Sequence, residues 1–333
     1  MTLPARPGPA AFVIPFWSDG ASHRLRFLRE ALDSVRAQSD PDLVAIVVDD
    51  GSQSEADLAR LLDWAAVDER LLVRRCTDNR GPGRCRNVGV EAAAELGAPF
   101  VCFLDADDLA HPDRVRTVRA VLDGDPDADI VYSGFQVVDE GGEPVPHEQL
   151  VGGIRTLAEE IAQRPLAGYD CWITLAVERD NLTIPSALSA RTAMAAAVPF
   201  PAAHRFHEDT HTWLRYSASG AKVVHRPDIP SRYRVPQPGK GSESRDRAGG
   251  TDAFNRLRAR IVGEGLAEAV ALAVRRGVVT PREGLTIRTR FLLSVASMLR
   301  QEGSTGIARD LVDQARRLSP RDYRDYHHCY RLE

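Results

Sequence analysis

The stretch FVCFLDADDLAHP, Phe100 to Pro112, decides how this chain is read. Phe100 to Leu104 is apolar without alternation, the pattern of a strand buried on both faces in a parallel sheet. The run ends in Asp105, Ala106, Asp107 and Asp108. Three carboxylates crowded at a strand's end repel one another. In an open parallel sheet the carboxyl ends of strands are where ligands bind, and acids gathered there are relieved by a hard divalent cation bridging to phosphate oxygens. The bland alternative is an acidic turn before the helix that Pro112 opens.

Outward from this stretch, the first 135 residues alternate short β-branched runs with amphipathic segments, the signature of βα units and a mainly parallel sheet. Phe12 to Ile14, Leu43 to Val48, Leu71 to Val73 and Ile130 to Tyr132 read as further strands. His23 to Gln38, Glu55 to Val67 and Arg84 to Leu96 read as helices, and Val115, Val118 and Leu122 mark one face of the helix after Pro112. Val137 to Glu148 reads as a loop, Thr156 to Gln163 as a short helix and Leu182 to Ser189 as an extended segment. Asp209 to Ser219 reads as a helix and Lys222 to His225 as a strand. Pro236 to Gly250 is Pro, Gly, Ser and charge, a loop or linker. Asp252 to Arg275, Pro281 to Gln301 and Thr305 to Leu318 carry the apolar stripes of a small helical bundle. The expected organisation is therefore a domain over residues 1–245, with a nucleotide-binding half over 1–135 and an acceptor-side half over 136–245, followed by a helical extension over 246–333.

Composition narrows the function classes. The 333 residues are 43% hydrophobic and 27% charged, which fits a folded globular chain and excludes collagen-like and wholly disordered ones. A formal net charge of −4 gives no electrostatic footprint for a nucleic-acid partner. The five cysteines form no C-x-x-C pair, which argues against a disulfide framework or structural zinc and for a reducing cytoplasm. Met1 to Pro9 lacks the charged-then-apolar pattern of a signal peptide, and no 18 apolar residues run together. The chain is expected to be neither secreted nor membrane-spanning.

Two more segments carry chemistry. Val47, Val48, Asp49, Asp50, Gly51 and Ser52 form a second buried strand ending in acids, with Asp50 placed to accept from a base or ribose. Asn79 to Gly89, NRGPGRCRNVG, is a glycine-rich basic turn opening a helix, where N–H groups and guanidinium meet phosphate. It is not a dinucleotide fingerprint, since Arg86 stands where the third glycine belongs, and no phosphate-binding G-x-x-x-x-G-K-[ST] occurs.

In order and spacing these pieces resemble the family 2 glycosyltransferases of the GT-A fold. Val13 to Trp17 is similar to the family's first strand and aromatic turn, Val47 to Ser52 to its V-V-D-D-G-S element, Asn79 to Gly89 to N-x-G-x-x-x-A-R-N-x-G, and Asp105 to Asp108 to D-x-D-D. His207, Glu208 and Asp209 resemble the x-E-D motif, and Ser231 to Arg234 the Y-R segment. The resemblance covers about residues 10–245 and leaves the helical tail unaccounted for.

The resemblance implies an α/β GT-A sheet flanked by helices and a nucleotide-diphosphate sugar donor, UDP-linked in the first instance. Pro15 and Trp17 would lie at the base, with Trp17 packing on it and Asp50 hydrogen-bonding it. Arg86 would approach the base or diphosphate, and Asp105 the ribose or donor sugar. Asp107, with Asp105, would ligate Mn²⁺ or Mg²⁺. Asp209, with Glu208 beside it, would be the general base. The family's histidine after Y-R is replaced by Val235 and Pro236, which leaves His225 or water as a further metal ligand. The acceptor would be a glycan precursor or small natural product, and a homodimer through the C-terminal helices is an open expectation.

The chemistry stands apart from the name. Displacing a nucleoside diphosphate from an anomeric carbon needs a cation for the departing charge and a carboxylate to take the acceptor's proton. Glycoside hydrolases also use two carboxylates, but without cation or nucleotide pocket. Two rivals stay open. A nucleotidylyltransferase would need a glycine-rich basic loop after the first strand, unlike Pro15 to Gly20. A non-catalytic nucleotide-sugar-binding or scaffold protein would not need Asp107 and Asp209. His204, His207 and His211 admit a zinc site or an acceptor pocket, Trp172 and Trp213 a sugar platform or core, and Arg245 and Arg247 a diphosphate clamp or solvated charge.

Overall fold

The computed structural model describes residues 8–150, 152–235 and 244–330. Most of the Met1 to Pro9 segment, and residues 236–243 of the expected linker, lie outside the described residues. In chain order the elements are β1 (Ala10–Phe16), α1 (Ser22–Arg36), β2 (Leu43–Asp49), α2 (Glu55–Val67), β3 (Leu71–Arg75), α3 (Pro82–Glu95), β4 (Phe100–Phe103), α4 (Arg114–Gly124), β5 (Ala128–Tyr132), β6 (Phe135–Val138) and α5 (Gly152–Gln163). They continue with α6 (Trp172–Glu178), β7 (Leu188–Arg191), α7 (Thr192–Ala197), α8 (Glu208–Ala218), β8 (Lys222–His225), β9 (Ser231–Arg234), α9 (Ser244–Arg247), α10 (Thr251–Arg275), α11 (Pro281–Gln301), α12 (Thr305–Leu318) and α13 (Pro320–Tyr326). Two compact units result. Among the described residues one gathers 8–167, 183–205 and 222–235, and the other 168–182, 206–221 and 244–330.

The first unit is built on a seven-stranded sheet of order β3-β2-β1-β4-β7-β5-β8, in which β7 alone runs antiparallel to its neighbours. The chain moves from β1 out to β3, then returns to β4 on the other side of β1. The strand order therefore reverses between β1 and β4, and such a switch point opens a crevice at the carboxyl ends of the strands. Register places Phe16 opposite Asp49 and Phe12 opposite Cys102. Trp17, Asp50 and Asp105 thus leave the same sheet edge side by side.

Both sheet faces are covered, which is why the strands read as unbroken apolar runs. Phe12, Ile14, Val47 and Cys102 pack with Leu28 and Leu32 of α1 and Val115, Val118 and Leu122 of α4. On the other face α3 lies against β1 at Gly89, where an added Cβ would come within 2.3 Å of Val13 Cγ1. Val13 is fully buried and β-branched, so neither partner yields. Gly89→Ala is expected to destabilise this unit by about 1–3 kcal/mol through overpacking. A urea midpoint equal to wild type would show that α3 does not depend on this contact.

The segment read as a loop from Val137 begins as a strand. Phe135–Val138 pairs in parallel with Ser231–Arg234, and Val137, Leu150 and Val235 form a small apolar cluster there. Similarly, the extended reading of Leu182 to Ser189 resolves into a 3₁₀ turn at Pro185–Ala187 and the start of β7.

The second unit is helical. The three long tail helices appear as expected, with α13 added after Ser319, whose side chain accepts from Asp322 N–H. α11 opens on a capping box between Thr280 and Glu283. α8 is buried from Thr210 to Ala218. It meets α10 at Gly265, where a Cβ would lie 2.8 Å from the His211 Cα. Trp172 and Trp213 are wholly buried, so both are core residues and not sugar platforms. All five cysteines are free thiols, four of them buried. No helix among the described residues is long and apolar enough to cross a membrane.

Candidate active site

At the switch-point edge, the turn after β1 holds Trp17 with the Arg24 guanidinium 4.9 Å from its ring centroid. Pro15, opposite Val48 in register, precedes it. The Trp17 indole N–H is buried and has no hydrogen-bond partner among the described residues. The turn after β2 is stitched locally: Ser52 N–H donates to Asp49 Oδ1 at 3.0 Å, and Ser18 N–H to Ser52 Oγ at 2.8 Å. Asp50 is buried, and its two oxygens accept Arg80 N–H at 3.0 Å and Gly81 N–H at 2.7 Å. It anchors the glycine-rich turn, which passes through Gly81 at φ 97°, a conformation that disfavours any side chain. Arg205 closes over this turn, donating to Asn79 O at 2.6 Å. Arg80 and Arg84 hold the Asp78 carboxyl down to about 2.

Arg86, in the second turn of α3, is 1% exposed. Its Nη2 meets Asp105 Oδ1 at 2.6 Å, and its guanidinium lies 5.3 Å from the Phe200 ring centroid. Asn87 and the Phe200 backbone exchange two hydrogen bonds, at 2.9 and 2.8 Å. Charge-assisted pairing of a buried guanidinium with a carboxylate orients both groups.

The acid loop after β4 is graded in depth. Asp107 is exposed, Asp105 is half-buried and Asp108 is buried. Burial and the adjacent Asp107 and Asp105 charges push the Asp108 carboxyl well above the ordinary range. This accumulated negative charge, with oxygens presented by Asp105 and Asp107, suits a hard divalent cation. His225 ends β8, its ring 4.9 Å from that of Tyr132 and its pKa lowered by burial. Three strand spacings, roughly 14 Å, separate β8 from β4. The fold does not bring His225 to the acid loop. Among the described residues no group of three or more His, Cys, Asp and Glu side chains is arranged to hold a metal by itself.

In the second unit, Glu208 and Asp209 open α8. Asp209 Oδ2 accepts from Asn181 Nδ2 at 2.9 Å. The neighbouring Asp180 pairs with the buried Arg258 of α10. Glu208 is buried, and its carbonyl accepts from Thr212 Oγ1 at 2.6 Å. His207 stands before them with φ 55° and its ring 4.4 Å from Phe254. The His211 Nδ1 accepts from Arg215 Nε at 3.0 Å. These two rings are thus spent on helix packing, and nothing in their placement favours the zinc reading.

Burial, reinforced by the Arg258 charge, lowers the His207 pKa to about 4. The unfolded chain then binds the extra proton between about pH 6.5 and 4, so stability falls as pH falls through that window, by at most about 1.4 kcal/mol per pH unit. His207→Asn, which tolerates the left-handed backbone, is expected to remove that component. Parallel pH profiles of thermal unfolding for the two proteins would show this contribution absent.

Asn181, Ser186 and Arg114 were not legible as site residues, and Arg234 was legible only as part of the Y-R segment, without a role. The available signal was polarity inside apolar surroundings: Ser186 sits in the run Ile184, Pro185, Ala187, Leu188, and Arg114 opens a helix that faces the core.

S. aureus TarS residues 1–349 in complex with UDP is similar in fold, with a TM-score of 0.54 at 17% identity over 97% of this chain and 91% of that one. A mannosyltransferase from Pyrobaculum calidifontis in complex with GDP-Man and Mn²⁺ gives 0.52 at 17% identity over 99% and 86%. At such identity the likeness concerns the fold alone, which is the GT-A fold with a helical C-terminal region. An uncharacterized glycosyltransferase of Methanocaldococcus jannaschii is 26% identical over 117 residues, 35% of this chain, and the matched stretch spans 39% of that relative's length. The family model described as Glycosyl transferase family 2 matches residues 13–181, just over half of the sequence, so the chain belongs to the family 2 glycosyltransferases.

Proposed function

We propose that this chain is an inverting, metal-dependent glycosyltransferase. It would move a sugar from a nucleoside-diphosphate donor, UDP-linked in the first instance, to a hydroxyl of a glycan precursor or small natural product. The observation that carries the reading is the acid loop at the switch-point edge, where exposed Asp107 and half-buried Asp105 follow directly on β4 and Arg86 is paired to Asp105 at 2.6 Å. The ligands of the two structural neighbours, UDP in one and GDP-Man with Mn²⁺ in the other, support a nucleotide donor and a divalent metal.

Asp107 and Asp105 are the residues that would hold Mn²⁺ or Mg²⁺. When bound, that cation supplies charge neutralisation for the departing diphosphate. Trp17 and Asp50 flank the place for the base, and Arg86 keeps Asp105 oriented. Asp209 takes the proton from the acceptor hydroxyl as its oxygen attacks the anomeric carbon, and a single displacement inverts that carbon. Asn181 orients the accepting carboxylate. The cysteine usage supports a cytoplasmic setting.

The test is calorimetric titration of a panel of UDP-, GDP- and dTDP-sugars with Mn²⁺ and with chelator, followed by assay of nucleoside diphosphate release. Metal-dependent binding of one donor with slow hydrolysis is expected. No binding across the panel would move the weight to a scaffold.

A further inference from the structure

We propose that Ser186 and Arg234 are positioning residues for the acid loop, and that Asp108 is its inward brace and not a metal ligand. The proposal rests on the glycosyltransferase reading above. Three acids within four residues would splay an unsupported loop, yet here each is held differently. Ser186 Oγ accepts Asp105 N–H at 2.9 Å and donates to Asp108 Oδ2. One hydroxyl thereby ties the first acid's backbone to the last acid's side chain. The other oxygen of Asp108 accepts Arg234 N–H at 2.8 Å. With both oxygens engaged and 1% exposure, Asp108 faces the core while Asp107 faces outward.

Ser186 is itself immobilised. Its carbonyl accepts from Arg114 Nη1 and Ser231 Oγ. Arg114, buried in the core, also donates to Leu188 O at 2.6 Å and Ser189 Oγ at 3.3 Å. Arg234 grips the loop from the other side. Its Nε donates to Asp107 O at 2.8 Å, its Nη1 to Glu140 O at 2.7 Å, and its Nη2 pairs with Glu30 at 2.5 Å over the Phe27 ring. Just past the acids, Leu109 and Arg232 exchange backbone hydrogen bonds at 3.0 and 2.9 Å. The exposed Asp107 therefore projects from a backbone pinned on both sides, which fixes the direction in which its side chain leaves the loop before any ligand arrives.

The outer partners of metal-ligating groups are typically worth about 10–100-fold in metal affinity. The experiment titrates Mn²⁺ with UDP, and separately with GDP, into wild type, Asp107→Asn, Ser186→Ala and Asp108→Asn, by calorimetry and by the electron paramagnetic resonance signal of free Mn²⁺. Denaturation midpoints confirm folding. Ser186→Ala is expected to weaken Mn²⁺-nucleotide binding about tenfold. Asp108→Asn, which is isosteric and keeps an acceptor for Arg234 N–H, is expected to lose only a few-fold and to stay well above Asp107→Asn. Should Ser186→Ala not fold, Arg234→Lys, which keeps the charge but not the forked contacts, is expected to show the same tenfold loss. A Ser186→Ala or Arg234→Lys protein that binds like wild type overturns the positioning role. An Asp108→Asn loss as large as that of Asp107→Asn overturns the brace and makes Asp108 a ligand. Wild type and Asp107→Asn binding Mn²⁺-nucleotide alike would instead remove Asp107 as the metal ligand that the brace is proposed to position.

Discussion

Asp209→Asn is expected to slow sugar transfer by about 10²–10⁴-fold, the usual worth of a positioned general base, while leaving donor affinity within about twofold. The amide has nearly the shape of the carboxylate and still offers an oxygen to Asn181, so the start of α8 should keep its conformation. What disappears is the capacity to accept the acceptor hydroxyl's proton as its oxygen attacks. An interaction needed only in the transition state lowers kcat and leaves ground-state binding alone. Calorimetry with the donor and a steady-state assay on the same preparation separate the two. Equal turnover by both proteins would remove Asp209 from the mechanism.

Asp107→Asn is expected to abolish the metal-dependent part of nucleotide binding, a loss on the order of 100-fold or more in the presence of Mn²⁺ and little change in chelator. An amide oxygen carries no charge and is a poor substitute for a carboxylate toward a hard cation. The fold should survive, because the residue is exposed and Arg234 holds its backbone carbonyl, which the substitution leaves unchanged. The difference between the Mn²⁺ and chelator isotherms measures the effect directly. If the variant retained the full Mn²⁺ dependence, the cation would have to sit elsewhere and Asp105 would be the first residue to replace.

Much of this molecule was readable from residue order, because the signals are local. β1, β2 and β4 are apolar runs bounded by turn residues, and α10 to α12 carry stripes at helical spacing. Elements of that kind announce themselves within a window of a few turns. The acids after β4, the Asp49–Asp50 turn and the glycine-rich opening of α3 were legible too, since a strand that ends in acids or glycines stands out against its own apolar body.

Four-residue β6 and β9 were harder, since neither is long enough to show a period and each finds its partner almost a hundred residues away. The same holds for the grouping of α6 and α8 with the tail helices, which depends on packing faces and not on chain order. Within D-A-D-D, nothing in the order of residues says that Asp107 points to solvent and Asp108 to the core. That difference is made by Ser186 and Arg234, 78 and 126 positions from Asp108. The residues alone determined the sheet, its helices and the presence of acids at its ligand-binding edge, because these follow from burial and periodicity along the chain. Which acid is brace and which faces outward was decided only by tertiary structure, because a buried carboxylate persists only where distant donors converge on it.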